Sequence, residues 1–185
     1  DGLAIKAAYS PNADDEPASD KAGGGDSGKL GSGWDLTVTA TEDLHGIAGL
    51  TIYGGLSQVD QFQNASSISG DSEERVIGIK YAMGGFTVGF QDNEDDTGKT
   101  ANATYDNTMY SVTFNVNDDL SIGYGHVESD KEGSSNTAEA DSIQAAYTMG
   151  GATLRIADVD VENQAYSTSA GTDKEATIIS LGLAF

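Results

Sequence analysis

Alternation with a period of two residues runs through most of this chain. From Thr177 the odd positions are Thr177, Ile179, Leu181, Leu183 and Phe185, and the even ones are Ile178, Ser180, Gly182 and Ala184. One side is apolar and ends in an aromatic ring; the other is mostly small or polar. That is a β-strand facing two different environments. Upstream the pattern predicts strands at 2–10, 34–41, 47–57 and 74–83, then around 86–90, 110–116, 120–124 and 143–149, and from 152 to about 160. Ten strands result. Their apolar side carries Leu36, Ile79, Val112, Ile143, Leu154 and Leu181. Val159 and Val161 break the parity of the ninth strand, which predicts a bulge or an irregular strand end there.

The connections alternate strictly. Short turns are predicted at Glu42–Gly46, Gly84-Gly85, Asn117–Asp119 and Gly150-Gly151, the glycine pairs reading as two-residue hairpins. Between them lie long polar stretches near 11–33, 59–72, 92–104, 128–140 and 162–174. In an antiparallel sheet this places every long loop at one end, the arrangement of an outer-membrane β-barrel with short periplasmic turns and long extracellular loops. The aromatic residues agree. Tyr9, Trp34 and Phe90 stand on the apolar side near long loops, while Tyr81, Phe86, Phe114, Tyr147 and Phe185 stand near short turns or the end of the sequence. Two such belts are the girdles expected at the membrane interfaces. The fold expected is therefore all-β: an antiparallel transmembrane β-barrel forming a single domain over residues 1–185.

Composition alone points elsewhere. Of 185 residues only 37% are hydrophobic, 24 are Gly and none is Cys, and no apolar run approaches the length of a membrane helix. Barrel strands escape that test because half of each faces water. The formal net charge of −21 excludes nucleic acid as a partner. Of the 30 acidic residues, 24 fall within 10–33, 60–75, 92–106, 128–141 and 158–175, so acid is expected at the loop end of the barrel. A mouth so charged should draw cations at low salt, with a preference that fades towards 1 M.

Candidate chemistry is sparse. The polar side supplies expected pore-lining residues Lys6, Thr37, Thr51, Lys80, Thr113, Gln144 and Arg155, a small and hydroxylic set with three cations. Such a face suits a wetted wall, which barrels of sixteen or more strands have, and packing against an inserted loop would also tolerate it. Asp92, Glu94 and Asp96 alternate like the ligands of a calcium loop, but Thr97 and Ala103 stand where the EF-hand needs Gly and Glu. Loose binding of Ca²⁺ by the acidic loops is the most expected of them, and no cofactor is implied. His45 falls in a short turn. His126, near Glu128 and Asp130, has the residue types of a general base, and a solvated rim histidine explains it equally.

The hairpins Tyr81-Ala-Met-Gly-Gly-Phe-Thr-Val88 and Tyr147-Thr-Met-Gly-Gly-Ala-Thr-Leu154, the late Ala157-Asp-Val-Asp160 and the ending Leu181-Gly-Leu-Ala-Phe185 resemble general-diffusion porins of the alphaproteobacterial type. The resemblance implies a passive channel for small hydrophilic solutes and ions in the bacterial outer membrane, a homotrimer in contact with lipid and lipopolysaccharide. It also implies a C-terminal strand read by the barrel-assembly machinery. Those porins have sixteen strands, of which this chain would be the C-terminal ten, its first strand pairing with an earlier one. A complete ten-stranded barrel acting as a surface enzyme or adhesin is the alternative, and a soluble β-sandwich a more distant one.

Overall fold

The computed structural model describes residues 1–11, 30–61 and 67–183. Ten strands form one antiparallel sheet in chain order: β1 Leu3–Ser10, β2 Leu30–Ala40, β3 Leu50–Gln61, β4 Ser72–Met83, β5 Phe86–Asp96, β6 Thr104–Asn115, β7 Leu120–Lys131, β8 Ala138–Met149, β9 Ala152–Glu162 and β10 Lys174–Leu183. Among the described residues β1 pairs only with β2 and β10 only with β9, so both are edges. No second sheet packs on this one among the described residues, which sets the sandwich aside.

Glycine makes the tight hairpins. Gly84 and Gly150 adopt φ of 59° and 58°. The positive value falls at the first central position only, as in a type II′ turn, rather than at both. The turn between β2 and β3 differs from expectation by containing a helical turn, α1, Glu42–His45. Glu42 and Asp43 favour its N-terminal end, and Gly46 closes it at φ 75°. β3 consequently starts at Leu50, three residues later than the alternation predicts.

The larger correction is at the other end of the strands. β2 to β9 each run two to seven residues further into the acidic stretches than the apolar alternation suggests. Asp92, Glu94 and Asp96 lie in β5, not in a loop. β9 carries no bulge: Val159 pairs Ser142 and Ala176, and Val161 pairs Ala140 and Lys174. Two neighbouring ladders impose the alternation there, and the side chains follow it regardless of polarity.

Almost nothing is buried in the usual sense. Among the described residues only Ile68, Gly78, Gly98, Ala103 and His126 are buried, while Ile5, Ile77, Ile143, Ile179 and Leu181 are largely exposed. Ile68 sits where the connection after β3 meets the connection after β5, bridged to Lys99. Further links run from loop to loop. The Ser69 amide donates to Gly98 O at 2.8 Å, the Ala103 amide to Glu132 Oε2 at 2.8 Å, and Asn163 Nδ2 to Thr137 O at 3.1 Å. A 3₁₀ turn, Gln164–Tyr166, brings the Tyr166 hydroxyl within 2.8 Å of Ser129 Oγ and its ring beside Tyr105. Among the described residues, the connections after β3, β5, β7 and β9 are therefore linked in a hydrogen-bonded collar.

Candidate functional site

Paired residues in an antiparallel sheet point to the same side, so the register divides the molecule into two faces. Lys6 pairs Thr37, and Thr51 pairs Lys80. Lys80 leads through Gly89 and Ser111 to Gly125. Thr113 reaches Gln144 through Gly123, and Arg155 reaches Gln144's side through Ala146. All seven expected wall residues thus share one face, the polar face. Thr113, Gln144 and Arg155 are brought together, lining a hollow of about 440 Å³ with Ser121 and Ser180. Thr37 lines a second hollow with Asp35, Tyr53 and Glu74. Lys6, Lys80 and Arg155 are not brought together; they stand on β1, β4 and β9.

Tyr9, Trp34, Tyr81, Phe86, Phe114 and Tyr147 share the opposite, apolar face. Tyr9 lies directly across from Trp34, and the rings of Phe86 and Phe114 stack with centroids 4.4 Å apart. Phe185 lies outside the described residues.

Several features of the polar face carry no signal in composition. The ring of Tyr53 lies across Gly78, where a Cβ would come within 2.2 Å of its Cζ. Its hydroxyl donates to Gln91 Oε1 at 2.9 Å, and Gln91 reaches the sulfur of Met109. Nearer the collar, Met109, Val127, Ala140 and Val159 give the polar face an apolar patch. Lys131 stands over both Tyr105 and Tyr166, 5.3 and 5.7 Å from the ring centres.

Charge is partitioned between the faces. The strand segments β6–β10 hold nine carboxylates: Asp106, Glu128, Asp130, Glu139, Asp141, Asp158, Asp160, Glu162 and Glu175. Register places every one on the apolar-face side, beyond the apolar band, and places Lys131, Arg155 and Lys174 on the polar face. Parity, continued two to six residues past the last apolar position, is the sequence signal that would have found this.

His126 belongs to that acidic extension and is 7% exposed. Nδ1 lies 2.8 Å from Asp141 Oδ1 and Nε2 3.1 Å from Glu128 Oε1. Tyr124 also donates to Asp141, and the Tyr110 ring stacks on the imidazole at 4.7 Å. Two carboxylate acceptors are both satisfied only by an imidazolium, which donates from both nitrogens. Asp130, expected beside it, instead accepts from Thr137 at 2.5 Å. The arrangement is a cross-strand strut and not a solvated rim residue. His45 Nδ1, in the short turn, accepts from the Ile47 amide.

Asp92, Glu94 and Asp96 do not converge. Residues two apart along a strand are separated by roughly 7 Å, Thr108 donates to Asp92, and Arg75 pairs with Glu94. Among the described residues no group of three or more His, Asp or Glu is placed to hold a metal ion.

The profile of the Gram-negative porin family matches residues 1–180. No curated protein matches the sequence. Among solved structures, Salmonella typhi OmpF in a complex with daunomycin superposes with a TM-score of 0.70 at 16% identity, over 98% of this chain and 57% of that one. A triple mutant of the Rh. blastica porin gives 0.57 at 19% identity, over 83% of this chain and 46% of that one. The chain thus spans about half the length of these porins, and at such identities the likeness is one of fold. With a family match over nearly its whole length and a ten-stranded sheet of porin form, the chain belongs to the Gram-negative porins, integral channel proteins of the bacterial outer membrane.

Proposed function

We propose that this chain is the C-terminal part of a larger porin barrel and forms one wall of a water-filled channel for passive diffusion of small hydrophilic solutes and ions. The observation that carries the reading is the division of the sheet into two faces. Leu, Ile, Val and aromatic side chains lie exposed on one; Ser, Thr, Gly and Gln occupy the other, with Lys6, Lys80, Lys131, Arg155 and Lys174 spread over five strands and Asp35, Glu74 and Asp95 confined to β1–β5. The first face meets lipid and, beyond the apolar band, lipopolysaccharide; the second faces the lumen. The unpaired edges of β1 and β10 support further strands, because an open edge in hydrocarbon leaves its backbone groups without partners. Homotrimer formation, recognition of the last strand by the assembly machinery and loose Ca²⁺ binding belong to the same reading, and no covalent chemistry is part of it. The nine strand carboxylates of β6–β10 point away from the lumen, so their pull on cations acts from outside and is screened over ~8–10 Å near physiological salt. Cation preference is accordingly weak and fades at high salt.

The test is reconstitution of the full-length protein. Proteoliposomes should swell in arabinose and more slowly in a disaccharide, and planar bilayers should show ohmic steps in KCl. Liposomes no more permeable than protein-free controls would overturn the channel.

A further inference from the structure

We propose that the polar wall of β6–β10 carries a subsite for small carboxylate-bearing monoanions centred on Arg155, an inference that rests on reading this face as the lumen. Arg155 has no ion pair or hydrogen bond among the described residues. Its side chain nonetheless opens onto a defined hollow of about 440 Å³ with Thr113, Ser121, Gln144 and Ser180 around it. A free guanidinium presents a planar fork that matches a carboxylate with two parallel bonds. The hydroxyls and the amide can bond hydroxyl groups on the same solute, and Ala157 and Ile178 flank the hollow for a short carbon skeleton.

Charge placement makes this half of the wall selective. No carboxylate of β6–β10 shares the polar face, so nothing on that stretch competes for Arg155. On β1–β5 the same face carries Asp35, Glu74 and Asp95 besides Lys6 and Lys80; Asp35 lies diagonally across from Lys6, while Lys80 stands between Thr51 and Gly89, outside the hollow. A single cation suits a monoanion; a phosphate dianion would need a second, and Lys131 is engaged with two tyrosine rings.

The test uses the full-length porin in planar bilayers, with reversal potentials measured across potassium lactate and potassium chloride gradients. Arg155→Gln should lower the lactate-to-potassium permeability ratio about two- to fivefold, the scale of one solvent-exposed charge pair, and should lower the chloride ratio less. Arg155→Lys should retain part of the lactate preference, whereas Lys80→Gln, which removes a wall cation outside the hollow, should lower the lactate and chloride ratios alike. In Arg155→Gln, equal losses for lactate and chloride or an unchanged lactate ratio would overturn the subsite, as would a lactate-selective loss in Lys80→Gln. Arabinose entry into liposomes, measured on the same preparations, separates the two levels. Its absence from wild type overturns the channel itself, whereas normal arabinose entry with unaltered lactate selectivity in Arg155→Gln overturns only the subsite.

Discussion

In β1–β5 the polar face mixes Lys6 and Lys80 with Asp35, Glu74 and Asp95, whereas in β6–β10 it carries Lys131, Arg155 and Lys174 and no carboxylate. The halves also differ in filling. In the first, Tyr53 lies flat over Gly78; in the second, a Cβ on Gly125 would meet only Ser142 Oγ at 3.4 Å, and the wall stays open. On the opposite face, the first half answers its acids with Arg75 and the second with His126. An acidic stretch is therefore not by itself a charged mouth. Strand parity decides on which side of the sheet each charge acts, and the two halves differ in the charge their polar faces carry.

The largest effect expected tests the faces themselves, which the comparison presupposes. Val112 and Thr113 are neighbours in β6 on opposite sides, Val112 paired with Val88 and Tyr124, and Thr113 with Thr87 and Gly123. Arg at Val112 should cost ~2–4 kcal/mol, as for a cation in the middle of the lipid face, and Arg at Thr113 well under half of that. Urea unfolding of the full-length barrel in lipid vesicles measures both, and equal losses would break the assignment.

Next comes the strut of the second half. His126→Ala removes two charge-assisted hydrogen bonds and a ring contact from a nearly buried site. The expected loss is ~1.5–3 kcal/mol, the range for hydrogen bonds to charged groups. His126→Gln, which keeps one donor, should recover part of it. A His126→Ala barrel as stable as wild type would show that the second half needs no counter-charge on its acidic side.

Filling ranks third. Gly78→Val forces the Tyr53 ring off the wall and breaks its bond to Gln91, for ~1–3 kcal/mol of overpacking. Gly125→Ala should be close to neutral. The displaced ring also narrows the channel, so Gly78→Val should lower single-channel conductance while Gly125→Ala leaves it unchanged. A neutral Gly78→Val would remove the contrast in filling.

These variants sit where sequence reasoning was strong and where it was weak. The number of strands, the alternating connections and the two sides of each strand were legible, because lipid and water impose a period of two that Leu3, Ile5, Ala7 and Tyr9 display directly. All seven wall residues could be placed on one face by the same rule. Their grouping could not, since Thr113, Gln144 and Arg155 meet only through the register of four strands. Strand ends were misread where polarity stopped alternating: Asp92, Glu94 and Asp96 look like a loop by composition but are held by ladders on both sides. The partnership of His126 with Asp141 joins residues fifteen apart across two strands, and neither pattern nor motif marks it.

The smallest effect expected concerns Arg75 and Glu94, the counterpart in the first half of the His126 strut. Their charged atoms lie 2.5 Å apart, but the Arg75 side chain is 66% exposed. An exposed ion pair contributes ~0–1 kcal/mol because water solvates both charges and two long side chains must be held still. Glu94 also stands directly opposite Asp106 in the register, and like charges so placed repel by a similar ~0.2–1 kcal/mol. Glu94→Gln removes both terms at once while keeping an oxygen for Arg75, so the two changes should nearly cancel, within about 0.5 kcal/mol of wild type. Asp106→Asn isolates the repulsion and should be slightly stabilising at low salt, the gain shrinking as screening grows. The contrast with His126→Ala is the informative quantity. If Glu94→Gln costs as much as the loss of His126, exposure does not separate the two counter-charges, and the halves are held together on their acidic side in the same way.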